Sequence, residues 1–350
     1  MTTKKPGSYQ QRATIKDVAQ ACNVSASTVS RVLNHTGQIK EATSRRILEK
    51  AKELNYVPNG LARGIVNNST NNMVGFLVPN ISNPFFAELV GYIEKELSSH
   101  GYLLSLCLFN DDAQKLRRFL DILTQSRSAG IIVGSCNVTE CREDFKKAQA
   151  YLPVISIQGD VDDVDRIDST DFAGTCEIVN YLIHKGHRKI GFIGYRYDMT
   201  ILEQRLNGYK KALTENNIPI RPEYICNGEH SYESGYQMVS NLLELPDPPT
   251  AIHCFNEFMA EAAFDSIRNH QLKIPQDISL TGYDNLQIGK MMEPPLTTVN
   301  SFPDSMSKIA VDMLLSRIHS TIDAEPQHIY LSHKLIVRDS VAQIAPSPKS

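Results

Sequence analysis

Residues 13 to 34, ATIKDVAQACNVSASTVSRVLN, constrain this chain more than any other stretch, because their apolar spacing fits two short helices around a tight turn. Thr14 is placed to cap a first helix whose inner side is Ile15, Val18 and Ala19. Cys22, Asn23 and Val24 read as the turn. Ser25 caps a second helix packed through Val29, Val32 and Leu33. This is helix-turn-helix geometry, and the face of the second helix left over carries Ala26, Ser27, Ser30 and Arg31. An arginine there can grip guanine O6 and N7 bidentately in a major groove. The candidate DNA-contacting set in this segment is Thr14, Ser25, Ala26, Ser27, Thr28, Arg31 and Asn34.

Residues 40 to 55 predict a third helix with Ile47, Ala51 and Leu54 inward and Arg45, Arg46, Lys50 and Lys52 outward. NYVPNGLARGI follows at 55 to 65. TIKDVAQACNVSASTVSRVLN followed by YVPNxLARxI resembles the lactose-repressor and galactose-repressor family of bacterial transcription regulators, with motifs like those of its purine repressors. Further matches are GHRKIGFIG, IPQDISLTGYDN, PPLTTV and LIVRDS in the rest of the chain.

Charge distribution points the same way without any family. Net charge is only -3, yet residues 1 to 67 hold 11 Lys or Arg against 4 Asp or Glu, leaving the remainder acidic. A basic head on an acidic body suits a module that neutralises phosphates. Part of the excess lies in residues 1 to 12, which read as a disordered arm. No stretch approaches the roughly 20 apolar residues of a membrane span, and no hydrophobic signal core is present, so a cytoplasmic location is expected. Seven cysteines without C-x-x-C spacing fit buried or free thiols better than disulfides or zinc.

After a polar linker at 67 to 72, short apolar runs alternate with segments of helical length, the pattern of parallel sheets. Candidate strands are 73–78, 103–109, 130–135, 153–157, 189–194, 251–255 and 279–284. Composition supports a doubly wound α/β body. The resemblance implies more: two such subdomains like those of periplasmic sugar-binding proteins, with crossovers near 160 and 290 and a ligand in the cleft. The expected division is arm 1–12, helix-turn-helix domain 13–57, hinge helix and linker 58–72, effector-binding and dimerisation domain 73–340, and tail 341–350.

Enzyme motifs are absent. GFIGY lacks dinucleotide-loop spacing, and no phosphate loop, nucleophile elbow or H-E-x-x-H occurs, so nothing nominates a nucleophile, a base, a cofactor or a metal. The histidines of HKGHRK flank a helix end, where cations favour the dipole and glycine supplies the stop.

By resemblance, the effector-contacting positions are Phe85, Phe86, Met199, Arg205, His230, Asn256 and Asp284. Asp284 directly follows a buried strand, and Arg205 opens the helix after strand 189–194. Met199 and Ile201 replace polar or charged residues of the purine repressors, which favours a sugar or sugar acid, the latter wanting a further cation such as Arg196; a nucleobase or nucleoside is the alternative. The resemblance also implies a homodimer on pseudo-palindromic double-stranded operator DNA, and a hinge that folds on the operator with Asn59, Ala62 and a minor-groove wedge at Ile65. Gly60 and Gly64 each cost a helix roughly 1 kcal/mol relative to Ala. The expected function is thus an effector-controlled repressor. A solute receptor would share the body but not the basic head, and an α/β enzyme would need a catalytic constellation.

Overall fold

A computed structural model describes residues 13–33, 36–54, 56, 72–135, 139–161, 163–195, 200–229, 231–320 and 325–344. The chain divides into two compact units between Asn71 and Asn72. In the first unit, helices α1 (Ile15–Ala21), α2 (Ala26–Leu33) and α3 (Glu41–Glu53) enclose a small core of Val18, Ala19, Cys22, Val29, Val32, Ile47 and Ala51. Leu54, expected inside, lies beyond the end of α3 and is 37% exposed. Lys40 precedes α3 without a side-chain cap, since its ammonium has no acceptor to offer the first-turn N–H groups.

The second unit holds two six-stranded sheets. The first contains β1 (Met73–Val78), β2 (Leu103–Leu108), β3 (Gly130–Gly134), β4 (Val154–Ile157), β5 (Asp165–Ser169) and β11 (His328–Leu331), ordered β11-β5-β4-β3-β1-β2 and wholly parallel. The second contains β6 (Ile190–Tyr195), β7 (Ile225–Gly228), β8 (Ala251–Cys254), β9 (Ser279–Asp284), β10 (Thr297–Asn300) and β12 (Lys334–Ile336), ordered β12-β10-β9-β8-β6-β7, with only β12 antiparallel.

Helices α4 (Pro84–Ser99), α5 (Ala113–Gln125), α6 (Arg142–Gln149) and α12 (Pro303–His319) cover the first sheet. The second is covered by α7 (Asp171–His184), α8 (Thr200–Glu215), α9 (Tyr232–Leu243) and α10 (Glu257–Asn269), and the short α11 (Gln287–Met291) follows β9. In α4 the buried set Phe85, Phe86, Leu89, Ile93 and Leu97 recurs every three or four residues, the stripe an amphipathic helix needs to seat on a sheet.

Among the described residues, the chain crosses between lobes three times: after Ser169, after Asn300 and after Leu331. The crossings expected near 160 and 290 therefore fall about ten residues later, and the third was not foreseen. Polar strands caused the displacement. β5, DRIDS, buries Asp165 against a bidentate Arg317 at 2.7 and 2.8 Å, so its charges are paired rather than solvated. The tail expected from 341 begins later too: Ala342 N–H donates to Ser279 Oγ at 3.0 Å and Ile344 N–H to the Lys185 carbonyl at 2.9 Å.

Among the described residues, no helix is long and apolar enough to cross a membrane. Cys22, Cys107, Cys141, Cys176, Cys226 and Cys254 are free thiols; Cys136 lies outside the described residues. His187 of HKGHRK is buried and hydrogen-bonded to Thr250 Oγ1 at 2.9 Å, and burial lowers its basicity.

Candidate functional site

Two candidate sites are present, one in each unit. In the head, Thr14 and Asp17 form a reciprocal capping box, with Thr14 N–H donating to Asp17 Oδ2 at 2.6 Å. These bonds hold the Asp17 carboxyl below its ordinary range. Asn23 takes φ 50°, the left-handed turn that swings the chain into α2, and Arg46 of α3 donates to the Cys22 carbonyl at 3.1 Å to fix that turn. Ser25 Oγ accepts the Thr28 N–H at 3.1 Å and lies 2.7 Å from the Ser27 hydroxyl and 2.8 Å from that of Thr28. Three hydroxyls thus crowd the N-terminus of α2. Ser27 and Arg31 are exposed, while Ala26 is half-buried against the head core rather than free. Asn34, Asn59, Ala62 and Ile65 lie outside the described residues.

In the body, a cleft opens where strands end. Asn80 follows β1, Asp111 follows β2, Ser135 follows β3 and Gln158 follows β4; from the other lobe come Tyr195 and Asp284, which end β6 and β9, and Phe255 and Asn256, which follow β8. Ligands of open α/β sheets bind at such carboxyl ends. Asn83 caps α4 by accepting the Phe85 N–H at 3.1 Å, which aims Phe85 and Phe86 into the cleft as an edge-to-face pair 5.6 Å apart.

Arg205 is the centre of the second lobe's wall. It lies in the second turn of α8 rather than at its opening, 2% exposed. Its Nε donates to Asp171 Oδ1 at 2.7 Å, Nη1 to the Phe255 carbonyl at 2.5 Å and Nη2 to Asp284 Oδ1 at 3.3 Å. The guanidinium also stacks 3.7 Å over Tyr283 and 4.4 Å over Phe255. These three bonds use three of its five donors. Burial pushes the Asp284 carboxyl up to about 6, opposed by Arg205. Behind it, Glu257 is fully buried, accepts the N–H groups of Asn285 and Leu286, and is pushed by burial up to about 8.

Of the positions expected in the cleft, Phe85, Phe86, Arg205, Asn256 and Asp284 line it together; Met199 and His230 lie outside the described residues, as does Arg196. Asn80, Asn83, Asp111, Ser135, Gln158, Tyr195 and Phe255 were missed. Most of these share one signal that was available, a position just past an apolar run. Asn256 serves locally as the cap of α10, accepting the Met259 N–H at 2.9 Å.

A head whose described residues form three helices with a hydroxyl-rich helix N-terminus, and a two-lobed body with a polar cleft, define the class: a DNA-binding protein with a ligand-binding domain. Comparisons agree. Residues 14–59 match the model of bacterial regulatory proteins of the lacI family, and residues 179–341 that of the periplasmic binding protein-like domain. The chain is 34% identical over 335 residues to the HTH-type transcriptional repressor PurR of Mannheimia succiniciproducens, covering 95% of this chain and 100% of that one. Among solved structures, the transcriptional regulator CelR in complex with cellobiose matches at 27% identity and a TM-score of 0.68, covering 94% and 100% of the two chains. A LacI family regulator from Enterococcus faecium with bound ribose matches at 25% and 0.69, covering 78% and 100%. This chain belongs to the lacI family of bacterial regulatory proteins. It is a DNA-binding transcriptional repressor of the LacI and PurR type with an effector-binding domain.

Proposed function

We propose that the chain represses transcription as a homodimer on a pseudo-palindromic operator, reading base edges with α2 and answering to a neutral sugar in the cleft. In this reading, Ser25, Ser27, Thr28 and Arg31 face the major groove, with Thr14 at the phosphates and Asn34 beside them. Asn59, Ala62 and Ile65 supply the hinge, and Ile65 the wedge.

The observation that carries the effector class is the charge of the wall. Arg205 already faces two carboxylates, Asp171 and Asp284, and Asp111 adds a third to the lining. A carboxylate ligand would meet net negative charge, whereas a polyol can donate to Asp284 and Asp111 and accept from Arg205 and Gln158. The sugar acid considered from sequence is thereby disfavoured, and Phe85 supplies an apolar face for ring C–H groups. Cellobiose and ribose in the two related structures support the same class. A nucleobase or nucleoside is the second reading, supported by the 34% identity to the relative named PurR. Ile201 in the cleft lining argues against it, offering a nucleobase no hydrogen bond.

Selection of duplexes from a random pool, followed by thermal-shift titration with D-ribose, cellobiose and hypoxanthine, tests both halves. A ligand at 100 times its Kd stabilises by about 2.7 kcal/mol. Failure to enrich a palindromic sequence would remove the operator reading, and stabilisation by hypoxanthine alone would remove the sugar.

A further inference from the structure

Six buried polar side chains form one hydrogen-bonded series through the body. Gln158 Nε2 donates to Ser169 Oγ at 2.9 Å, and the Ser169 hydroxyl donates to Asp171 Oδ2 at 2.5 Å. The other oxygen of Asp171 takes Arg205, which in turn reaches Asp284. The Ser301 hydroxyl donates to the same oxygen of Asp284 at 3.4 Å. Every member is less than a tenth exposed, so each bond is made away from water, where breaking it leaves an unpaired group.

The members occupy significant places. Ser169 ends β5 in the first lobe and Asp171 begins α7 in the second, so their bond spans the first crossing. Ser301 lies in the second crossing, between β10 and α12. Gln158, Arg205 and Asp284 line the cleft; Ser169, Asp171 and Ser301 stand behind them. Gln158 holds φ 52°, and its N–H is tied to the Ile167 carbonyl at 2.8 Å, so the residue is fixed with its amide toward Ser169.

We propose that Ser169 is a positioning residue for effector control, its hydroxyl joining the cleft to the first two of the three crossings between the lobes. The inference rests on the cleft being the effector site. A ligand that touches Gln158 from the first lobe and Arg205 from the second completes a ring of hydrogen bonds: Gln158, Ser169, Asp171, Arg205 and the ligand itself. Closing such a ring makes the ligand's binding energy depend on the relative placement of the lobes, which is what converts occupancy into a change of lobe orientation. Removing the Ser169 hydroxyl opens the ring without deleting any group that lines the cleft.

The test uses the full chain as Ser169→Ala and Ser169→Thr. Amide hydrogen exchange without ligand is measured at 169–171 and, as the decisive readout, at Ser301 and Phe302, which Ser169 does not touch. Ser169→Ala is expected to speed exchange severalfold at both crossings and Ser169→Thr to restore wild-type rates. Acceleration confined to 169–171 marks a local structural role and overturns the proposal, as does a threonine variant as fast as alanine. In the D-ribose, cellobiose and hypoxanthine titrations, affinity is expected to fall about tenfold in Ser169→Ala while effector-free operator affinity stays within twofold of wild type. Exchange transmitted to Ser301 with no probe bound by the wild-type chain supports the relay and removes the effector class, so the two failures are distinct.

Discussion

The Glu257 carboxyl group accepts the backbone N–H of Leu286 at 2.8 Å and, through it, holds the turn that presents Asp284 to the cleft. Asp284 and Asn285 take φ 103° and 61°, conformations that cost side-chain-bearing residues of order 1 kcal/mol or more each and persist only when their surroundings impose them. Glu257 imposes them, since Asn285 N–H is held as well, at 3.0 Å. Glu257→Ala would leave the buried Leu286 N–H unpaired, at a cost of about 1–3 kcal/mol, and the half-buried Asn285 N–H as well, at less.

Proton linkage gives this arrangement a measurable sign. Burial raises Glu257 from 4.5 to about 8 and Asp284 from 3.8 to about 6. The folded chain therefore binds more protons than the unfolded one between those limits. Stability from these groups is fully present below the unfolded values and is lost as pH rises through the folded ones. Buried His253, whose basicity falls to about 3, contributes the opposite slope up to its unfolded value of 6.5, so melting temperature should fall between about pH 6.5 and pH 8, and Glu257→Gln should flatten that slope. Calorimetry across this range decides it, and equal slopes in both proteins would show that Glu257 does not carry the linkage.

Arg205 and its partners predict asymmetric losses. Arg205→Ala strands two carboxylates of 2% and 5% side-chain exposure, so destabilisation of about 3–5 kcal/mol is expected. Asp284→Asn keeps the volume and removes one charge-assisted acceptor, which should weaken effector binding about tenfold or more with a smaller loss of stability. Urea unfolding and ligand titration on both variants separate fold from recognition. A fully stable Arg205→Ala would refute the claim that the guanidinium holds the wall together.

The head offers a test of base reading against phosphate contact. Arg31→Ala should cost about 1–3 kcal/mol and relax preference at one base pair, whereas any effect of Lys40→Ala should fall alike on all sequences. Affinities on a panel of single-base operator variants give the answer. An unchanged preference profile for Arg31→Ala would place that side chain off the bases.

What was legible from sequence follows from where the signal was apolar. The seven strands read from apolar runs are strands; six are buried, where parallel strands are near-continuous Val, Ile and Leu, and β2 is an apolar but half-exposed edge strand. β5, β7, β10, β11 and β12 were invisible because DRIDS, ICNG, TTVN, HIYL and KLI are short and polar, and their pairing is fixed by partners distant in sequence. Arg205 and Asp284 were named from sequence, but not Asp171 or Ser169. Nothing local marks an aspartate at a helix start as the counter-ion of an arginine 34 residues away. Capping was the exception, since the Thr14 and Ser25 caps depend only on residues within three positions.

The crossing of α7 and α8 yields the last prediction. A Cβ on Gly208 would lie 2.4 Å from the Phe172 carbonyl oxygen and 3.1 Å from the Cys176 nitrogen, both backbone atoms that cannot rotate away. Gly208→Ala must push α8 off α7 and should destabilise by about 1–3 kcal/mol. Because Arg205 sits on α8 one turn earlier and Asp171 opens α7, the same separation stretches their 2.7 Å bond, so effector affinity should fall with stability. Gly91 in α4 is the control. Nothing lies within 4 Å of its Cβ position, and Gly91→Ala should stabilise by about 0.5–1 kcal/mol through helix propensity. Urea midpoints and effector affinities of the two variants would be compared. A Gly208→Ala chain as stable as Gly91→Ala would mean that the helices have slack at their crossing.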